Sequence, residues 1–360
     1  MAIDNTALLD LIATTLADLP KGEFEVMWDS QRFEINNVLK QNARQIDGGT
    51  SIVRNVVLDE TGNAKYRRLY DVDLPSVENV QKQITVPWCQ LSTDYSWDVL
   101  ELKRNQSTAK GFINLLKSRR TERLWGFAEL IERRGWLTPT NASDTLFPNG
   151  IPYYLNVADN GVTTDGFQGK TIRYTDGSTG TLCAGLDGSV EAKWRNYAGV
   201  YTKVDNGLLR KMRTAAMLTQ FNPPAFIQSP GSDAEGPVKR LYAGDRVCTE
   251  LMDLADKRDD ANTPKDLVGK VLVNQDGGVY FNRMPLVFVP QLSSASFSPI
   301  YAVDWSKMQA LVQEGYWMEE SKPMTDRAQH TTITVYLDGC HQFLCTNRRS
   351  VGFVMHLVTS

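Results

Sequence analysis

Residues 105–136 read as one long helix without a proline, and a rod of that length limits what the rest of the chain can build around it. At 1.5 Å per residue it would run roughly 48 Å, longer than a small domain needs. Gly111, Gly126 and Gly135 fall within it, each weakening it by about 1 kcal/mol relative to Ala. Ile113, Leu116, Leu124, Phe127 and Ile131 recur at three- and four-residue steps, or at two such steps across Arg120, and form a narrow apolar seam. Lys110, Lys117, Arg119, Arg120, Arg123, Arg133 and Arg134 crowd the remaining surface, Trp125 points nearly away from the seam, and Phe112 and Leu130 lie to one flank. A helix this long with so thin a seam lies across a sheet or bridges elements, leaving its sides for another contact. A solvated helix of a monomer is the plainer alternative.

The other elements follow in chain order. Asp4 or Asn5 can cap a short helix whose Leu8, Ile12, Leu16 and Leu19 share one face before Pro20 and Gly22 end it. Alone it is marginal in water, so it docks either on its own domain or, as an arm, on a neighbour. Phe24, Val26 and Trp28 alternate with Glu23, Glu25 and Met27, a weak strand signal, and Gly48-Gly49 marks a joint. Two β-rich runs, 51–58 and 64–73, flank a turn at 59–63 and predict a hairpin. Ile52, Val56 and Leu58 share a face with Arg54, and Tyr66, Tyr70 and Val72 share one with Arg68, so neither face is cleanly apolar. A two-stranded ribbon is marginally stable by itself. It therefore reads as a projecting arm, with an ordinary surface hairpin as the alternative; Arg54, Lys65, Arg67 and Arg68 make it basic.

Leu91, Thr93, Tyr95 and Trp97 form an amphipathic strand leading into the long helix. Residues 141–188, rich in Gly, Asp, Thr and Asn, read as loops and short hairpins rather than a core layer. Asp205 is a plausible cap for a helix with Leu208, Met212, Ala215 and Ala216 on one face, stopped by Pro223 and Pro224. Further helices are expected at 245–257 and 306–315. Strands are expected at 279–289, where Pro285 argues for an edge or a break, and at 332–337, 342–346 and 351–358. The order is mixed α+β.

Composition narrows the function. At 360 residues with a net charge of −3 and mixed signs, the chain can bury a full core in two lobes or one elaborated domain and announces neither a nucleic-acid reader nor a polybasic membrane protein. Five cysteines, Cys89, Cys183, Cys248, Cys340 and Cys345, lack zinc-ribbon spacing and suit a reducing compartment with free thiols. Asp4 and Asp10 stand where a signal peptide would be positive, and no apolar run approaches the ~18 to 20 residues of a membrane span, so a soluble chain is expected.

The search for chemistry is nearly empty. His330, His341 and His356 have no metal-protease spacing, and no nucleophile elbow, phosphate loop or dinucleotide fingerprint occurs. Cys340, His341 and Cys345 are the best metal or thiol candidates, but on strands the odd step sends the two thiols to opposite sides, which favours structural cysteines. Asp159, Asp165, Asp176 and Asp187 do not match a calcium loop. Glu319 and Glu320 read as a solvated pair. Neither a cofactor, a metal nor a catalytic site is expected. The tryptophans and tyrosines leave a carbohydrate-active enzyme as the alternative from another class.

Three blocks carry a resemblance: WRNYAGVYTKVDNGLLRKMRTAAMLTQFNPP; FNRMPLVFVPQL with PIYAVDWSKMQALVQEGYWMEE; and HTTITVYLDGCHQFLCTNRRSVGFVMHLVTS. With the order hairpin, strand, long helix, mixed lobe and closing strands, they resemble major capsid proteins of tailed bacteriophages, the Hong Kong 97-like fold. The blocks cover much of the second half; the first half matches in element order only. The resemblance implies an N-terminal arm (1–45), an extended hairpin loop (46–80), a peripheral domain with the spine helix (81–140), an axial domain (141–325) and closing strands (326–360). It further implies an icosahedral shell of hexamers and pentamers around the phage genome, located in the virion and assembled in the host cytoplasm. An encapsulin-like compartment shell is the alternative within the fold. Little sequence precedes the hairpin beyond the arm, so a separate scaffolding protein is expected, together with a portal, with or without a decoration protein. No membrane contact is expected. The basic side of the spine helix, with Arg348 and Arg349, faces either packaged DNA through non-specific phosphate contacts or neighbouring subunits through salt bridges. Some relatives join a hairpin lysine to a neighbour's asparagine, and Lys65 sits near this hairpin's tip. Subunit contacts are expected from Leu8, Ile12, Leu16, Leu19, Arg54, Val56, Lys65, Tyr66, Arg67, Arg68, Tyr70 and Trp125.

Overall fold

The structure, a computed structural model, describes residues 33–58, 66–69, 80–100, 109–157, 165–220, 238–259, 272–273, 279–295, 297–325 and 331–358. The expected helix with Leu8, Ile12, Leu16 and Leu19, the strand signal at 23–28, Lys65, Tyr70, Asp159, Pro223, Pro224 and His330 lie outside these residues.

The first half contains α1 (Glu34–Asn42), β1 (Ala43–Ile46), β2 (Ser51–Val57), β3 (Gln81–Pro87), β4 (Cys89–Asp98), α2 (Ala109–Gly135), α3 (Ile151–Tyr154) and β5 (Gly166–Gly169). Two small hairpins follow, β6 (Ile172–Arg173) with β7 (Thr179–Gly180) and β8 (Leu182–Cys183) with β9 (Leu186–Asp187). The second half contains β10 (Asn196–Tyr201), α4 (Asn206–Leu218), β11 (Lys239–Ala243), α5 (Asp245–Asp259), β12 (Leu272–Val273), β13 (Val279–Phe281) and β14 (Met284–Phe288). It closes with α6 (Pro290–Ser293), β15 (Ile300–Asp304), β16 (Met308–Glu320), β17 (Met324–Thr325), β18 (Thr332–Cys345) and β19 (Gly352–Leu357).

Two sheets organise these elements. In the first, β18 is the central strand: it pairs antiparallel with β4 along one edge, from Thr332 opposite Asp98 to His341 opposite Cys89, and with β16 and β17 along the other. β1 adds in parallel to β16. The spine helix α2 lies across this sheet, as its thin seam requires. Phe127 and Ile131 are buried and Leu124 partly so; the Phe127 ring sits 6.1 Å from that of Trp317 on β16. Gly339 on β18 lets the helix approach, since a Cβ there would stand 3.1 Å from the Trp317 ring and 3.2 Å from the Phe127 ring. Arg119 donates to Ser96 O at 2.8 Å and Arg120 pairs with Glu320 at 2.6 Å, so part of the basic flank is spent on the chain's own strands.

The second sheet has eight strands in the order β12-β13-β14-β11-β15-β19-β10-β5. One face carries α4 and α5, where Leu208, Met212 and Ala215 meet Val247, Leu251, Leu241 and Phe353. Tyr242, Val287, Tyr301 and Val354 belong instead to the core shared with the first sheet. α4 starts where its cap predicts: Asp205 Oδ1 accepts from Leu208 N at 3.0 Å.

α1 wedges between these parts. Ile35, Val38 and Leu39 are buried, Glu34 pairs with Arg240 of the second sheet, and Asn36 Nδ2 donates to Ala128 O on α2 at 2.8 Å. The exposed N–H groups of its first turn find Glu132 of α2, whose Oε2 accepts from Ile35 N at 2.8 Å and Asn36 N at 3.3 Å while Oε1 accepts from Trp136 Nε1 at 2.8 Å. Burial outweighs these bonds and pushes the Glu132 carboxyl up to about 7. Between its unfolded value near 4.5 and about 7 the folded state keeps a proton that the unfolded state releases, so stability is greatest below 4.5 and declines as pH rises through 7. The expected loss is roughly 3 kcal/mol. Urea denaturation at pH 5 and pH 8 should show it in the unaltered chain and not in Glu132→Gln, which mimics the protonated form.

Several expectations are corrected. The second strand of the hairpin is not 64–73 but β3: Ile52 pairs with Val86 and Val57 with Gln81, and Tyr66–Leu69 is not strand. Ile84 and Val86 are fully buried whereas Tyr66 and Leu69 are 107% and 83% exposed, so burial rather than nearness in sequence chose the partner. The helix expected at 306–315 is part of β16; its Gln, Ala, Leu and Glu content favours helix, but pairing on both edges with β1 and β18 overrides that preference. The strands expected at 332–337 and 342–346 are one, β18, and that at 279–289 is two, joined by a turn with positive φ at Asn282 and Arg283. Residues 141–188 do form short hairpins, yet Tyr153, Tyr154, Leu155, Ile172 and Cys183 enter the main core. Residues 33–45, expected in the arm, pack into the body. No helix among the described residues is long and apolar enough to cross a membrane.

Candidate assembly surfaces

The hairpin of β2 and β3 is rooted in its own subunit. Ile52, Ile84 and Val86 join the main core, Thr85 N donates to Ala184 O at 3.0 Å, and Lys82 pairs with Glu191 at 3.3 Å. Gln342 of β18 holds the end of β3 by donating to Pro87 O at 2.8 Å. The ladder closes with Leu58 N donating to Val80 O at 3.2 Å, so everything between 58 and 80 is loop or lies outside the described residues. Of the expected contact residues, Val56 is half-buried against its own core, while Arg54, Tyr66, Arg67 and Arg68 are exposed. Leu69 and Val57 are exposed beside them. Trp125 does not stand apart from the fold: its ring meets that of Phe33 edge-on at 5.2 Å.

Other exposed apolar residues were not singled out from the sequence. Met318 of β16, Met324 of β17 and Tyr336 of β18 are exposed on neighbouring strands of the first sheet. They lie on three strands separated in sequence, and β16 was read as a helix at 306–315. The signal for the true hairpin partner was available: Ile84 and Val86 alternate with Gln83 and Thr85.

The residues weighed for chemistry make the following contacts. Arg348 is fully buried and faces no DNA; its guanidinium donates to Tyr154 O and Trp194 O at 2.9 Å, to Gly169 O at 3.2 Å and to Asn196 Oδ1 at 3.1 Å. Arg349 lies over the Phe167 ring at 4.1 Å. Burial pushes the thiols of Cys89 and Cys345 up to about 12 and raises Cys340, so these thiols are protonated at neutral pH. His341 is pushed down to about 4 by burial among Trp317 and Phe343. Asp176 and Asp187 close their own turns onto Ser178 and Ser189, and Asp165 pairs with Lys211 at 3.2 Å. Glu320 is held by Arg120 rather than paired with Glu319.

No protein-family model matches the chain, and no curated protein matches it in sequence. Solved structures do match in shape. A chain of the cyanophage A-1(L) capsid superposes with a TM-score of 0.62 at 12% identity, covering 95% of this chain and 98% of that one. A chain from the capsid of a native GTA particle gives 0.55 at 9% identity, with 95% and 96% covered. A chain of Mycobacterium phage Bobi gives 0.50 at 9% identity with the same coverage, 95% and 96%. Over nearly its whole length, the chain has the mixed helix-and-sheet fold seen in phage capsids.

Proposed function

We propose that the chain is the major capsid subunit of a tailed bacteriophage with Hong Kong 97-like architecture, assembling through hexameric and pentameric rings into an icosahedral shell around the genome. The observation that carries this reading is a structural likeness running almost end to end in both directions, which leaves little of either chain for another task. The rooted hairpin supports it, with Tyr66, Arg67, Arg68 and Leu69 exposed beyond its ladder. In this reading residues 46–80 are the extended loop, 81–140 the peripheral domain, 141–325 the axial domain and 326–360 the closing strands, with the arm of 1–45 folded onto the body from residue 33. The role is structural rather than catalytic. Its partners are further copies, a separate scaffold, a portal, with or without a decoration protein, and, by non-specific contact, DNA; the shell forms in the host cytoplasm.

Sedimentation velocity over a range of salt, with and without a co-expressed scaffold, tests this: large closed assemblies support it, and monomer under every condition contradicts it. DNA inside separates a phage shell from an encapsulin-like compartment loaded with protein cargo. A basic loop should meet an acidic track on the receiving subunit. Charge screening acts over about 8 to 10 Å near physiological ionic strength. Arg67→Glu with Arg68→Glu should therefore give shells that open at lower salt than unaltered ones, read by light scattering during a salt titration.

A further inference from the structure

A cavity of about 580 Å³ is bordered by the C-terminal end of α2, the β6–β7 hairpin, α6 and the second sheet. That volume lies within the roughly 300 to 1,000 Å³ that hold a compact small molecule. Trp136, Tyr174, Leu292, Phe297 and Tyr301 line it, and all but Phe297 are buried, so its walls are mainly aromatic. Phe297 and Ser298 have left-handed backbone, with φ of 69° and 38°, a conformation rare for residues other than glycine. Leu357 N donates to Phe297 O at 2.7 Å and Tyr201 Oη donates to Ser298 O at 2.6 Å, which pins this turn with the Phe297 ring in the cavity wall. Backbone held against its preference in this way clusters at ligand clamps.

Two cations border the same cavity. Arg133 of α2 and Arg173 of β6 are exposed, and neither has a carboxylate partner among the described residues. The Arg173 guanidinium lies 5.5 Å from the centre of the Phe297 ring, which brings positive charge to the aromatic wall. A guanidinium fork matches a carboxylate in shape as well as in charge. His356, which also lines the cavity, is only 6% exposed. Burial lowers its pKa and keeps the ring neutral at pH 7, and its Nδ1 has no partner. With the Gly199 backbone as the ring's other hydrogen-bonding contact, Nδ1 is an acceptor, so a carboxylate beside it is disfavoured. An anionic ligand is thereby oriented with its acid toward the arginines and its apolar body toward His356.

We propose that this cavity binds a small aromatic carboxylate, its ring among Trp136, Tyr174, Phe297 and Tyr301 and its acid group at Arg133 and Arg173. All of these residues belong to one subunit, so the inference does not depend on shell assembly.

Equilibrium dialysis of the dilute full-length chain tests it with 1-naphthaleneacetate and its neutral isostere 1-naphthaleneacetamide. The acid should bind one to one with a Kd of about 1 mM or tighter, and the amide at least about three-fold more weakly. Arg133→Gln with Arg173→Gln should remove the preference for acid over amide; both residues are exposed, so the fold is kept. Hydrogen exchange locates the ligand: at saturation the amides of residues 173–175 and 291–295 should slow while those of α4 are unchanged. No saturable binding of the acid, equal affinity for acid and amide, a preference that survives the double substitution, or slowing confined to other segments would each overturn the proposal.

Discussion

Replacing residues 59–79 by a short Gly-Ser turn is expected to leave a folded, soluble subunit that builds no shells. The hairpin root stays intact in this variant, because Ile52, Ile84 and Val86 remain in the core and the bonds from Thr85 to Ala184 and from Gln342 to Pro87 are untouched. Shortening the connection lowers its closure entropy by about 1 kcal/mol, so the fold gains slightly if anything. What disappears is the exposed part, including Tyr66, Arg67, Arg68 and Leu69. Circular dichroism and the denaturation midpoint should be nearly unchanged while particle counts in electron micrographs fall to none. Normal closed particles from this variant would show that the loop does not hold the lattice.

The largest stability effect is expected at Arg348. Its guanidinium ties the turn after β18 to α3, β5, Trp194 and the start of β10, so one side chain satisfies four acceptors drawn from separate segments. Arg348→Met keeps much of the volume but takes a charged donor from all four buried acceptors, leaving Asn196 Oδ1 with Asn156 N alone. A loss of about 4 kcal/mol is expected, a large share of the 5 to 15 kcal/mol typical of folded domains. Arg348→Lys keeps the charge but not the planar fork and should fall between the two. Urea denaturation measures the series; a Met variant as stable as the unaltered chain would mean that the clamp is dispensable.

The sequence was most legible where one face decides the structure. The spine helix, the capped helix α4 and the amphipathic strand β4 each carry a single periodic pattern, and each stands close to where that pattern put it. It was least legible where partners distant in the chain decide. β16 has helical composition and becomes a strand only because β1 and β18 flank it, and β3 lies beyond a nearer run with stronger β-forming residues. α1 was not anticipated because half of what holds it, Glu132 and Arg240, comes from other elements. Arg348 looked like a surface cation in sequence, since nothing local reveals that four acceptors converge on it. Of the residues read as a basic, half-apolar hairpin face, Arg54, Tyr66, Arg67 and Arg68 are exposed, although the pairing of that hairpin was read wrongly.

Cryo-electron microscopy of the purified full-length chain, co-expressed with a scaffold where one is required, tests the central claim most directly. The account predicts closed icosahedral particles in which the subunit density fits the two sheets and spine helix described above, with the loop between Leu58 and Val80 lying on an adjacent subunit. Only monomers or open aggregates under every condition, or a shell in which that loop rests wholly on its own subunit, would contradict it.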